Sequence, residues 1–185
     1  VTRALESFEP ENVTREVEQF TEYLSNWYIR RSRRRFWKSG LLSDSSKDSN
    51  HDKLSAYSTL YETLVTLTKL LAPVVPFITE AIYQNLVTSQ SLGKESVHLE
   101  EYPVTDQNIL EKELSERTRL AMRLSSMGRS ARSKAGIKVS QPLEHIYVHT
   151  RTVNELDMLP LIEDQLVDEL NVKHVTPVAD AAEII

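Results

Sequence analysis

Leu24-Ser25-Asn26-Trp27-Tyr28-Ile29-Arg30-Arg31-Ser32-Arg33-Arg34-Arg35-Phe36-Trp37, continued by Lys38-Ser39-Gly40, is the stretch from which the chain is best read. From Arg30 to Lys38 it holds six basic residues and no acidic one, and both tryptophans of the chain lie in it. Guanidinium groups bind phosphate through paired hydrogen bonds, and aromatic faces stack on unpaired bases. The stretch is therefore a candidate RNA surface. It also fits the solvated last turns of a helix, where the macrodipole favours cations and the aromatics are core. Upstream, Val13, Val17, Phe20, Leu24, Trp27 and Tyr28 recur at helical spacing. That predicts one helix from an N-cap at Asn12 to about Lys38, stopped by Gly40. Arg30, Arg33, Arg34 and Lys38 fall on its outer face. Arg31 and Arg35 lie nearer the apolar stripe, where they can pair with acids.

The rest of the composition sets bounds. The 185 residues are 40% hydrophobic and 26% charged, enough for one folded domain or two small ones. Zero cysteines exclude disulfides and thiolate metal sites. No apolar run reaches the roughly 20 residues of a membrane span, and the N-terminus has no secretory h-region, so no membrane partner and a cytoplasmic location are expected. The chain starts within a helical pattern without methionine and reads as an excised fragment. The net charge of −5 hides an asymmetry: Arg117 to Lys138 holds seven further basic residues and no acid. Those two runs take 13 of the 22 basic residues and leave nine against all 27 acids. A local basic stripe on an otherwise acidic protein suits a one-sided contact with RNA, provided both stripes face the same way.

Along the chain, Glu9-Pro10 breaks a first short helix. Ser43 to Lys53 reads as a polar loop, and its His51 has no second ligand nearby. Leu54 to Ala72 is an amphipathic helix with Leu54, Tyr57, Tyr61, Leu64, Thr68 and Leu71 on one face. Pro73 and Pro76 bend the chain into a shorter helix over Phe77 to Leu86. Val97-His98-Leu99 reads as a short extended piece. A long helix opens near Thr105 or Asp106, with Ile109, Leu110, Leu114, Ala121, Leu124 and Met127 or Gly128 as its buried stripe. Of its cations, Arg129, Arg132, Lys134 and Lys138 are expected on an RNA path, whereas Arg117 or Arg123 can pair with Glu111 or Glu113. Leu143 to Thr150 alternates as a strand. Val153–Leu159 and Pro160–Leu170 read as helical, and Val172–Val178 as a second strand. The expected fold is mainly α, a helical bundle over 1–140 and a small β-α-α-β module over 141–185.

No catalytic constellation stands out. His145 and His149 share a strand face but lie more than ~10 Å apart at about 3.3 Å per residue, which disfavours a metal pair. The four glycines form no phosphate loop.

The Leu24–Trp37 run closely resembles a signature of isoleucyl-tRNA synthetases. Three further stretches resemble the same family in the same order: Tyr61-Glu62-Thr63-Leu64 through Leu70-Leu71-Ala72-Pro73-Val74-Val75-Pro76-Phe77, then Ser96-Val97-His98-Leu99, then Ala135-Gly136-Ile137-Lys138-Val139-Ser140-Gln141-Pro142-Leu143. The resemblance implies the α-helical anticodon-binding bundle of a class I synthetase, followed by a junction module. It implies a fragment that binds the anticodon stem-loop of isoleucine tRNA. The parent would join isoleucine to tRNA with ATP and magnesium, and its remaining domains would be partners. The His-Ile-Gly-His and Lys-Met-Ser-Lys-Ser signatures of that catalysis do not occur here, so the fragment itself is expected to be non-catalytic and to hold no cofactor or metal. Carried over position by position, the tRNA-binding residues are Arg30, Arg33, Arg34, Arg35, Trp37, Lys38, Arg129, Arg132, Lys134 and Lys138, with Trp27 and Tyr28 as core that fixes the arginines. Many members carry arginine where this chain has Ser140. A valyl- or leucyl-tRNA synthetase domain, or a helical protein-interaction module using its apolar stripes, is the alternative.

Overall fold

The structure, a computed structural model, describes residues 1–37 and 47–178. Lys38, Gly40 and the first part of the expected 43–53 loop lie outside the described residues. The chain forms two units, Val1–Thr105 and Asp106–Ile185. The division expected from the sequence falls later, after residue 140.

In the first unit, Thr2–Glu6 is helix α1 and Pro10–Tyr23 is α2. Proline sits in the first turn of α2, where its missing N–H costs nothing. Asn12 is thus inside the helix rather than its cap, and its Nδ2 donates to Glu9 Oε2 at 2.6 Å. Leu24–Ile29 winds as a π-helical segment and Arg30–Trp37 continues as α3. The helix expected over 12–38 is thus built in three pieces. The i→i+5 turn takes up extra residues without ending it.

Lys47–Leu71 forms α4, so the 47–53 part of the expected loop is helical instead. Its polar side chains read as turn formers, but acids near a helix N-terminus are favoured by the macrodipole. Tyr28 Oη donates to the Ala56 carbonyl at 2.9 Å and ties the π segment to α4. Of the α4 stripe, Thr68 is buried and Leu64 and Leu71 half-buried, whereas Leu54, Tyr57 and Tyr61 stay exposed. Pro76–Leu86 is α5. Ala72, Tyr83, Val87 and Val97 make a buried cluster, flanked by Val65 and Leu86.

Val97–Leu99 is a 3₁₀ turn capped by Ser96, not an extended piece. Two carboxylates hold it in place. Glu80 accepts from Ser96 Oγ at 2.9 Å and from the Val97 amide at 3.0 Å. Glu100 accepts from Lys69 Nζ at 2.8 Å, Tyr83 Oη at 2.5 Å and the Lys94 amide at 2.9 Å. Lys69 foremost, then Tyr83, holds the Glu100 carboxyl down at about 2. Burial, then Glu100, pushes the Tyr83 phenol up to about 12.

In the second unit, Asp106 caps only a short turn over Gln107–Ile109, and the long helix α6 is Lys112–Lys134. Ile109, Leu110, Leu114 and Met127 are exposed. The buried stripe runs from Leu120 and Ala121 through Leu124 and Gly128. Leu143–His149 is strand β1, Val153–Leu170 is helix α7 and Val172–Val178 is strand β2. The strands pair in parallel, with Ile146 opposite Val175. Val148 is buried while His145, Tyr147 and His149 face solvent, as the alternation predicts.

Only one helix joins the strands, where two were expected. Pro160 lies inside α7, and Leu159 and Ile162 on either side of it are buried with Leu166 and Leu170. Burying both halves against one core offsets the hydrogen bond that proline removes. A Cβ on Gly128 would meet Leu170 Cδ1 at 2.5 Å, so α6 and α7 approach closely only because that residue is glycine. Helix predominates, with this small sheet the one strand pairing among the described residues.

Candidate nucleic-acid interface

The first basic surface is α3. Its outward residues are Arg30, Arg33 and Arg34, all exposed, as the helical phase predicts. Arg30 Nε donates to the Asn26 carbonyl at 2.8 Å, a carbonyl within the π segment. Trp37 is 78% exposed, and the Arg33 guanidinium lies 5.9 Å from its ring centroid. This places a cation against one region of a solvent-facing indole.

The inward arginines behave differently. Arg31 lies 5.2 Å from the Trp27 ring centroid. Arg35 donates from Nε to Asp52 Oδ1 at 2.8 Å and from Nη2 to the Asp52 carbonyl at 3.1 Å. Arg35, expected among the RNA contacts, is thus held by an acid of α4. The helical phase that sets Arg35 near the apolar stripe allows such a pairing without pointing to Asp52. Trp27, Tyr28, Arg31, Ser32 and Arg35 line a shallow hollow of about 260 Å³. Phe36 packs on Tyr57, centroids 4.9 Å apart, so it supports α3 while Trp37 projects.

The second basic surface is the end of α6 and the loop after it. Gly136, at φ +68°, closes the helix: its amide donates to the Ser133 carbonyl at 3.1 Å, and Ile137 N donates to the Arg132 carbonyl at 2.9 Å. Arg132 is not on the surface as expected. It is only 5% exposed, and its Nη2 donates to the carbonyls of Lys138 and Gln141. Burial follows from its place on the inner face of α6, one helical turn after Gly128. Arg129 also departs from the expected phosphate contact: its Nη1 donates to Glu169 Oε2 at 2.6 Å, and the Glu169 side chain is 2% exposed. Lys134 and Lys138 are exposed, as is Ser140.

Arg123 pairs with Glu155 of α7 at 2.6 Å, not with Glu111 or Glu113 of its own helix. Arg123, helped by the Arg151 amide, holds the Glu155 carboxyl below the ordinary carboxylate range. Arg119, Arg123, Asn154 and Glu155 are among the residues lining a cleft of about 410 Å³. Among the described residues no group of three or more His, Asp or Glu is placed to hold a metal ion. No helix among them is long and apolar enough to cross a membrane.

Residues 1–148 match the family described as the anticodon-binding domain of tRNA ligase. Over 174 residues the chain is 48% identical to the isoleucine–tRNA ligase of Dehalococcoides mccartyi strain 195, which covers 94% of the chain and 16% of that protein. It is 41% identical to the isoleucine–tRNA ligase of Cutibacterium acnes over 100% of the chain and 15% of that protein. It is likewise 41% identical to that of Clostridium acetobutylicum over 98% of the chain and 16% of that protein. The chain therefore spans about one sixth of the length of these relatives.

Proposed function

The chain belongs to the anticodon-binding domain family of tRNA ligases, and from that premise we propose that it grips the anticodon stem-loop of isoleucine tRNA on behalf of a longer isoleucine–tRNA ligase. The observation that carries this reading is the outer face of α3. It presents Arg30, Arg33 and Arg34 to solvent beside a projecting Trp37, within the region the family covers. The arginines suit phosphate oxygens, and the indole suits the face of an unpaired base. Lys134 and Lys138 supply further cations from the second unit, and Lys38 joins the set on sequence alone.

The parent would draw on ATP and magnesium for the ligation. No step through either is assigned to this chain. Its own contribution is binding and orientation. That contribution is electrostatic in the main, so affinity falls steeply with salt. Titrating the chain with isoleucine tRNA at several salt concentrations tests it. Arg34→Ala and Lys134→Ala should each weaken binding and reduce the salt slope by about one unit. Absence of any salt-sensitive binding to tRNA would overturn the reading, and equal affinity for a valine stem-loop would remove its isoleucine assignment.

A further inference from the structure

Helix α5 is built inside out. Its inner face is polar for the most part: Thr79 and Tyr83 are each 1% exposed, and Glu80 and Gln84 turn towards the 95–97 backbone. Glu80 bonds Ser96, Val97 and Gln84, and Tyr83 bonds Glu100. These partners satisfy the polar groups of the inner face, and Tyr83 and Leu86 pack it onto the buried cluster. The outer face carries Phe77 at 91% exposure, Ile78 at 60% and Ile82 at 39%, with Ala81 between them. Val75, just before the helix, is exposed as well.

A surface helix normally turns its charges outward and its apolar residues inward. Here the only charged residue from Ala72 to Gly93 is Glu80, and its carboxylate is bonded within the fold. A contiguous apolar face of this kind marks an interaction surface. It holds no lysine or arginine, so it offers phosphate nothing and is unsuited to RNA. The named relatives are about six times longer than the matched region, so most of such a polypeptide lies outside these 185 residues.

We propose that the outer face of α5, centred on Phe77, Ile78 and Ile82, is a docking surface for the remainder of the parent synthetase, and that it receives an apolar face of that polypeptide. The proposal rests on reading the chain as part of a longer ligase. The inward polar network fixes the α5 backbone, so the face is presented rigidly. Docking there would leave the α3 arginines to RNA, because the two surfaces differ in chemistry and share no residue.

The test uses the full-length parent with Phe77→Ser and Ile78→Ser introduced together, set against Phe77→Leu. Both side chains are exposed in this chain, so their loss leaves its core intact. In the parent, the double variant should raise the rate of limited proteolysis across residues 72–93 by about tenfold, because cleavage tracks the open population, and Phe77→Leu should restore protection. In the 185-residue chain, the same double variant should leave the melting temperature and the salt slope of tRNA binding unchanged. Unaltered proteolysis of the parent would overturn the proposal. A melting temperature lowered in the 185-residue chain would assign the face to that chain's own fold. Self-association of the wild-type chain that disappears in the variant would assign it to a second copy, and lost tRNA binding would assign it to RNA. If the wild-type chain binds no tRNA while the parent still shows the proteolysis effect, the anticodon reading fails and the docking surface stands.

Discussion

Arg30, Arg33 and Arg34 of α3 are exposed, whereas Arg132 of α6 is buried and Arg123 and Arg129 are only partly exposed, each paired with a carboxylate of its own unit. Both helices contribute to runs without an acid, Arg30 to Lys38 and Arg117 to Lys138. The difference lies in what each packs against. Helix α7, the neighbour of α6, carries six acidic residues and no basic one between Val153 and Leu170. Of these, Glu155 and Glu169 meet Arg123 and Arg129. Two of the seven basic residues of the Arg117 to Lys138 run thus meet acids of α7 and serve folding. Helix α3 meets α4, where Asp52 takes up Arg35 and the outward arginines remain on the surface. Charge count gives a basic stripe in both places. Only the neighbouring element says which cations stay exposed.

Arg132 breaks the comparison most sharply if it is misplaced. Its guanidinium supports two loop carbonyls from a buried position, with Nε and Nη1 left without a partner. Arg132→Ala should destabilise the second unit by about 3 kcal/mol, through the emptied volume and the Gln141 carbonyl left without its donor, while the Lys138 carbonyl keeps the Gln141 amide. Denaturant unfolding followed by amide exchange in α6 and α7 measures this. A variant as stable as the wild type but weaker on tRNA would return Arg132 to the surface.

Arg129 comes next. Removing it leaves the Glu169 carboxylate buried without that cation, so Arg129→Ala should cost about 2 kcal/mol of stability, less than a fully buried pair because the guanidinium is partly exposed. Removing both partners with Arg129→Met and Glu169→Leu should recover most of the loss. The salt slope of tRNA binding should stay that of the wild type in both variants, unlike that of Arg34→Ala. A slope reduced by one unit in Arg129→Ala would show that α6 also reaches phosphate.

Trp37 sharpens the other side. Trp37→Ala should weaken tRNA binding about tenfold at every salt concentration, since stacking on a base does not release counterions. Phenylalanine at this position should keep most of the affinity. A loss that vanishes at high salt would mean that the indole merely positions Arg33.

Much of this was legible beforehand because it depends on local period. The phase of α3 separated Arg30, Arg33 and Arg34 from Arg31 and Arg35, and alternation placed Tyr147 and Val148 on opposite faces of β1. The family resemblance rested on local strings too. What escaped depends on long-range partners. Nothing near Arg35 in sequence points to Asp52, and nothing near Arg129 points to Glu169, 40 positions on. The π segment over Leu24–Ile29 has no composition of its own. The exposed apolar side of α5 escapes too, because Phe77, Ile78, Ile82, Tyr83 and Leu86 are all apolar or aromatic and the string does not say which of them meets the fold. The start of α4 was read as loop because serine, asparagine and aspartate favour turns in isolation.

The smallest expected effect concerns acid. Arg123, then the Arg151 amide, depresses the Glu155 carboxyl in the folded protein relative to the unfolded chain. A depressed folded value stabilises the fold above the ordinary carboxylate range, and that contribution disappears as pH falls through the folded value. The second unit should therefore lose stability below about pH 4.3 more steeply than Glu155→Gln does, and the variant should be about 1 kcal/mol less stable at pH 6, the two converging at lower pH. Arg34→Ala, a variant proposed to act on RNA binding, should instead lack this convergence with the wild type at low pH. Unfolding free energies measured from pH 6 to pH 3 decide the matter. Parallel curves for Glu155→Gln and the wild type would mean that Arg123 contributes nothing through that carboxylate, and the contrast between a folding helix and a binding helix would then rest on Arg129 and Arg132 alone.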